Sequence, residues 1–221
     1  MRGFGDQNKV KKNHQKIKKS KEQILNQAIQ CHLKGNIKEA IKYYQQLISQ
    51  GYNDHRIFSN YGVILQSQDK LNDAEISLKK AIELKPDYPE AYSNLGQVFK
   101  DLGKLKDAEL SYRKAIVLNP NYAIAYFNLG NLLKDLGKLK DAEISIRKAI
   151  ALNPELAQAY SNLGNILTDL GKLKDAELSY RKAIALNPNY AIAYFNLGNL
   201  LKDLGNLQES ELSYRKAITL N

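Results

Sequence analysis

Between Tyr92 and Leu102 the apolar and small residues fall at Tyr92, Leu95, Gly96, Phe99 and Leu102. That is the i, i+3, i+4, i+7 spacing that gathers side chains on one face of an α-helix. Gly103 follows, and a glycine just past such a run marks a helix end, because it enters the left-handed conformation without a Cβ penalty. A second stripe runs through Leu105, Ala108, Tyr112, Ala115 and Ile116, with Lys106, Asp107 and Lys114 turned to water. Asn119-Pro120 stops it, since the residue before a proline is driven out of the α region. The predicted unit is a helix, a glycine turn, a second helix and a proline turn.

The unit recurs. NYAIAYFNLGNLLKDLG, starting at Asn121, returns unchanged 68 residues later at Asn189, and half that offset, 34, also finds close copies. AYSNLG begins at Ala91 and Ala159, and AYFNLG at Ala125 and Ala193. A fixed period of this size signals stacked repeats, in which each unit buries its apolar face against its neighbours. Phasing the chain gives six units over 21–54, 55–88, 89–122, 123–156, 157–190 and 191–221, preceded by an arm of residues 1–20. The first unit is degenerate, with Gln27 and Ala28 where the others carry Leu-Gly. In the second, Asp69 stands in the place of the turn glycine. The sixth is truncated and has Ser210 where its neighbours have alanine.

With Pro89 as position 1, the unit has Tyr92 at 4, Leu95 at 7, Gly96 at 8, Phe99 at 11, Ala108 at 20, Tyr112 at 24, Ala115 at 27 and Pro120 at 32. This resembles the tetratricopeptide repeat, whose aromatic, Leu-Gly, aromatic, Ala, aromatic, Ala and Pro positions span 34 residues. The resemblance covers all but the arm. It implies an all-α, right-handed superhelical solenoid of helix-turn-helix repeats, with the first helix of each unit (helix A) lining a concave groove that takes peptide or protein partners. Gly96, Gly130, Gly164 and Gly198 are expected where helix A comes closest to helix B, with Ala108, Ala142 and Ala176 opposite. The AYSNLG-type helices are also similar to the repeats of O-linked N-acetylglucosamine transferases, although nothing here corresponds to their catalytic domain.

Charge is uneven. The chain carries +10 at pH 7, and residues 1–21 hold eight basic residues against Asp6 alone, so +7 of that charge lies in the arm and the first residue after it, and the rest of the repeats are close to neutral. The arm is read as a poorly ordered, solvated segment that contacts nucleic acid or an anionic surface only weakly. Cys31, the single cysteine, is expected to serve as a small core residue. No apolar run is long enough to span a membrane, and the N-terminus lacks the apolar stretch of a secretory signal, so a cytoplasmic protein is expected.

Enzymatic features are not found. His14, His32 and His55 have no metal-ligand spacing with Cys31. Gly96 to Gly103-Lys104 fails as a phosphate loop, because the glycines are too far apart and Leu105 replaces Ser/Thr. The expectation is a non-enzymatic scaffold with no catalytic residue, no metal and no cofactor.

One class of polar residue recurs where a ligand could meet it. Position 6 is asparagine in every unit (Asn26, Asn60, Asn94, Asn128, Asn162 and Asn196), and position 9 adds Gln97, Asn131, Asn165 and Asn199. Positions three apart are neighbours on a helix face. An amide offers donors and an acceptor together, so it can pair with a peptide backbone whatever the side chains are. One asparagine per repeat, with helices about 8–10 Å apart, matches about three extended residues. Phe127 and Phe195, alternating with serine at position 5, are read as apolar anchors.

Two readings of the ladder stand at this point: a peptide-gripping surface, or amides that bond the neighbouring repeat and set the superhelix. Two alternatives to the scaffold also remain, a substrate-recruiting arm for a separate glycosyltransferase subunit and a protein that stacks end to end. For the last, Tyr214, Ala217 and Ile218 on the final helix are expected to be partly exposed.

Overall fold

The computed structural model describes residues 20–220, in which twelve α-helices and no strand are found. They are α1 (20–33), α2 (Ile37–Ser49), α3 (His55–Ser67), α4 (Leu71–Leu84), α5 (Pro89–Asp101), α6 (Leu105–Leu118), α7 (Ala123–Asp135), α8 (Leu139–Leu152), α9 (Ala157–Asp169), α10 (Leu173–Leu186), α11 (Ala191–Asp203) and α12 (Leu207–Thr219). The chain divides into two compact units, one ending at Leu102 and the other beginning at Gly103. Apart from Ser20, the basic arm lies outside the described residues.

Local chemistry sets the helix ends. Gly137 has φ +72°; its N–H donates to the Lys134 carbonyl at 2.9 Å, and the Lys138 N–H donates to the Leu133 carbonyl at 2.8 Å. This pair of bonds satisfies carbonyls that the last turn leaves open. Asp69 does the same work at φ +60°, a conformation that aspartate tolerates better than most residues because its short side chain bonds locally. At the far end of helix B, the Asn153 side-chain oxygen accepts the Glu155 backbone N–H at 3.2 Å, and Asn187 accepts that of Asn189 at 3.1 Å. These asparagine turns carry the chain across the proline into the next repeat.

In the second unit α7 packs on α8, α9 on α10 and α11 on α12. The glycine on helix A makes the approach possible. A methyl group on Gly130 would lie 2.6 Å from Ile146 Cγ1, and one on Gly164 would lie 2.5 Å from the Tyr180 ring. Ala142, Ala149, Ala176 and Ala183 are fully buried on the facing helices. Ser210 is tolerated in this layer because its hydroxyl donates to the Gly198 carbonyl at 2.8 Å, so that buried hydroxyl is not left unpaired.

The first unit uses the same plan with coarser parts. Gly62 faces Leu78, and in the degenerate first repeat Ala28 takes the glycine's place, fully buried among Leu25, Ala40, Tyr44, Leu47, Ile57 and Ile64. Cys31 packs half-buried against this cluster, as expected of a small core residue.

Candidate functional site

In the second unit α7 touches α9 and α9 touches α11, so the helix A face of three successive repeats is continuous. The asparagines lie along it and bond to one another. Asn162 Nδ2 donates to Asn131 Oδ1 at 2.7 Å, and Asn196 Nδ2 donates to Asn165 Oδ1 at 3.0 Å. Position 6 of these two repeats thus reaches back to position 9 of the one before. The Tyr180 hydroxyl also donates to Asn165 Oδ1, at 2.8 Å, and the Tyr214 hydroxyl to Asn199 Oδ1, at 2.8 Å. Burial pushes the Tyr180 hydroxyl above its ordinary value, with Thr168 acting against that shift, so it stays protonated and a donor at neutral pH.

The two bonds to Asn165 Oδ1 occupy both lone pairs of that oxygen and leave its NH2 group to point elsewhere. Asn162 and Asn196 each carry a second N–H and a carbonyl oxygen beyond the bond they donate. Between α9 and α11 a recess of about 260 Å³ opens beside these groups, lined among others by Lys134, Asn165, Thr168, Asp169, Asn196 and Asn199. Asn128, Asn131, Asn162, Asn165 and Asn196 are half-buried and Asn199 is exposed. In the first unit Asn60 and Asn94 are half-buried too. Burial pushes the Tyr44 hydroxyl up to about 12, with the Asn60 amide nearby working against it.

The two phenylalanines differ. Phe127 is half-buried, whereas Phe195 is 52% exposed with its ring tilted on Tyr214, centroids 5.8 Å apart. Serine at the same position is buried, as at Ser59 and Ser161. Those repeats close with Tyr88 and Tyr190, while the repeat of Phe127 closes with Leu156. An aromatic ring is therefore supplied from one side or the other, which conserves volume between repeats.

A second ladder, which the hydropathy pattern alone does not reveal, runs along helix B. Glu109 accepts from Arg113 one turn on and from Lys138 of the next repeat, at 2.8 and 2.9 Å; Glu143 is shared likewise by Arg147 and Lys172, at 2.9 and 2.7 Å. Lys138, with Arg113, holds the Glu109 carboxyl below the ordinary carboxylate range, and Lys172, with Arg147, does so for Glu143. A lowered folded-state value means the contribution is complete above the unfolded value of about 4.3 and fades as pH falls through the folded one. Replacing both glutamates by glutamine is expected to cost about 0.5–2 kcal/mol at neutral pH. In urea unfolding, the difference from wild type should close below about pH 3. A difference that stayed constant through the titration would assign the glutamates a packing role instead.

The last repeat bares what inner repeats cover. Ile218 is 74% exposed and Tyr214 half-buried, but Ala217 is only 4% exposed, contrary to the expectation that all three would be open. Ala217 faces its own helix A, so it needs no further repeat to cover it. Among the described residues no group of His, Cys, Asp and Glu is arranged to hold a metal, and no helix is long and apolar enough to cross a membrane.

Comparison with known proteins agrees with this geometry. The sequence profile described as TPR repeat matches residues 62–103, 96–137 and 164–205, and two described as tetratricopeptide repeat match 123–156 and 191–221. The chain belongs to the tetratricopeptide repeat family. Over 53 residues this tetratricopeptide chain is 42% identical to a STIP1 homolog of Dictyostelium discoideum, a stretch that is 24% of this chain and 9% of that protein. The chain thus spans less than two thirds of the curated relative it matches. The crystal structure of MamA is 28% identical, with a TM-score of 0.65, over 72% of this chain and 93% of that one. YrrB, described as a tetratricopeptide protein with an unusual peptide-binding site, is 24% identical, with a TM-score of 0.63, over 80% of this chain and 92% of that one. At that identity the likeness is one of fold. Tetratricopeptide repeats are in general non-enzymatic modules that bind protein or peptide partners.

Proposed function

We propose that this tetratricopeptide chain is a scaffold that holds an extended peptide segment against its helix A face, chiefly through the peptide's carbonyl groups. The observation that carries the reading is the polarity of the asparagine ladder. Asn165 Oδ1 is occupied by Tyr180 and Asn196, which leaves N–H groups as what that amide offers at the mouth of the recess between α9 and α11. Donors aimed at an extended chain recognise backbone oxygens independently of sequence. Phe195, exposed at the end of the same face, gives an apolar anchor, while half-buried Phe127 contributes mostly through packing.

The test locates the peptide. A capped, uncharged, extended peptide of alanine and serine, titrated into 15N-labelled protein, should shift the side-chain amide signals of Asn165, Asn196 and Asn199. Shifts confined to α8, α10 and α12 would reject the reading. Deleting residues 1–20 should leave this binding nearly unchanged while weakening retention on a polyanion column, since the arm acts only through charge. The recruiting-arm alternative makes the same groove prediction and adds binding to a glycosyltransferase catalytic subunit. The stacking alternative instead predicts concentration-dependent self-association through the final helix, by way of exposed Ile218 and half-buried Tyr214.

A further inference from the structure

The opposite side of the second unit carries a row of apolar residues that the core does not use. Leu110, Ile144, Leu178 and Leu212 occupy the same place in four successive B helices and are 66%, 68%, 67% and 66% exposed. Each stands two residues beyond a buried small residue of its helix (Ala108, Ala142, Ala176 or Ser210), so it points away from the packed stripe. Water contact at that level is unfavourable for a leucine or isoleucine side chain. The pattern is repeated rather than incidental.

Between α8 and α10 this row borders a groove of about 320 Å³. Ile150 and Ala151 form one wall, Leu178 and Ser179 the other, and Tyr160 and Leu163 of α9 the floor; Arg147 and Lys182 stand at the rim. Positive charge is in surplus here. Arg147 shares the single carboxylate of Glu143 with Lys172, and Lys182 has no ion-pair partner among the described residues. The matching groove between α10 and α12 is balanced, because its Arg181 pairs with Glu209.

We propose that the groove between α8 and α10 is a docking site for an amphipathic helix whose apolar stripe is flanked by acidic side chains. Two helical walls and a recessed apolar floor suit a third helix laid between them, with apolar side chains at i, i+3, i+4 and i+7 filling the slot. The surplus cations at the rim fix the sign of its flanks. A flat lipid surface would meet the raised Leu178 and the lysines and leave the floor at Tyr160 and Leu163 unfilled. This site is separate from the asparagine face, so the protein can hold two partners at once.

The experiment uses the full chain and two fluorescent helical peptides of equal length. One carries leucines at i, i+3, i+4 and i+7 between glutamates, and its twin has lysine in place of every glutamate. The acidic peptide should bind and the lysine twin should not. Raising salt from about 0.05 M to about 0.5 M should weaken binding several-fold. Leu178→Asp should weaken it at least tenfold and Lys182→Glu about threefold or more. Both side chains are on the surface, and unchanged circular dichroism would show that the fold persists. Ala151→Glu, on the other wall, supplies an independent variant and should also weaken binding at least tenfold.

Failure of the acidic peptide to bind, or equal binding of both peptides, would overturn the proposal. So would binding that survives Leu178→Asp and Ala151→Glu. Retention on phosphatidylserine vesicles without peptide binding would overturn it in favour of a lipid contact.

Discussion

Gly130→Leu is expected to destabilise the second unit by about 1–3 kcal/mol, the usual cost of forcing extra carbons into a packed interior. The first added carbon alone would fall 2.6 Å from Ile146 Cγ1 and 3.3 Å from the Ala142 carbonyl oxygen. Ile146 is fully buried and has no solvent to move into, so either it leaves its rotamer or α7 and α8 separate. Both routes lower stability. A steric origin makes a further demand. Ile146→Ala by itself should cost about 2–5 kcal/mol by opening a cavity, but with leucine at 130 that cavity is partly filled. The double variant should therefore be more stable than the sum of the single losses predicts, by about 0.5–3 kcal/mol. Urea unfolding of the four proteins measures this, and an unchanged midpoint for Gly130→Leu would show that the α7–α8 contact is not tight. Because repeats can unfold separately, hydrogen exchange on α7 and α8 should report the loss before α12 does.

The second large effect belongs to the asparagines. Replacing Asn128, Asn162 and Asn196 together by alanine should weaken binding of an extended peptide by about 1.5–4.5 kcal/mol, if each contributes one neutral hydrogen bond of about 0.5–1.5 kcal/mol. The loss should persist at high salt, since no charge is removed. Stability must fall as well. Asn162 and Asn196 donate to Asn131 and Asn165, and removing them leaves half-buried acceptors with one partner fewer, at a similar cost per bond. Binding is therefore measured well below the unfolding transition, where every variant is folded. A triple variant that melts earlier yet binds the peptide as wild type does would reject the groove reading and make the ladder a device that fixes one repeat against the next. Tyr180→Phe sharpens the distinction. It removes one of the two bonds to Asn165 Oδ1 without touching an asparagine, so a purely positional role for that bond would alter stability and leave affinity alone.

The helices and their pairing were legible in the residue pattern alone. A stripe such as Leu105, Ala108, Tyr112, Ala115 and Ile116, closed by Asn119-Pro120, is a local statement about 3.6 residues per turn and about backbone that proline forbids. Glycine at Gly137 and aspartate at Asp69 are both found with positive φ, as their place just past a helix suggested. Gly130, Gly164 and Gly198 do sit at the tight contacts, because a missing Cβ on a buried face has few other uses.

Which partners the recurring polar residues take depends on the packing of one repeat against the next. Asn162 bonds Asn131 and Lys138 bonds Glu109 across the boundary between repeats. Which partner each takes depends on how far one repeat is turned against the next, and the helical period says nothing about that angle. The same holds for Leu178. A leucine off the stripe could be covered by the following repeat or left bare, and it is the separation of α8 from α10, floored by Tyr160 and Leu163, that leaves it at the edge of an open groove. Local periodicity fixes which face of a helix is apolar. The rotation and spacing between helices, set by non-local packing, fix which of the remaining groups meet each other and which meet solvent.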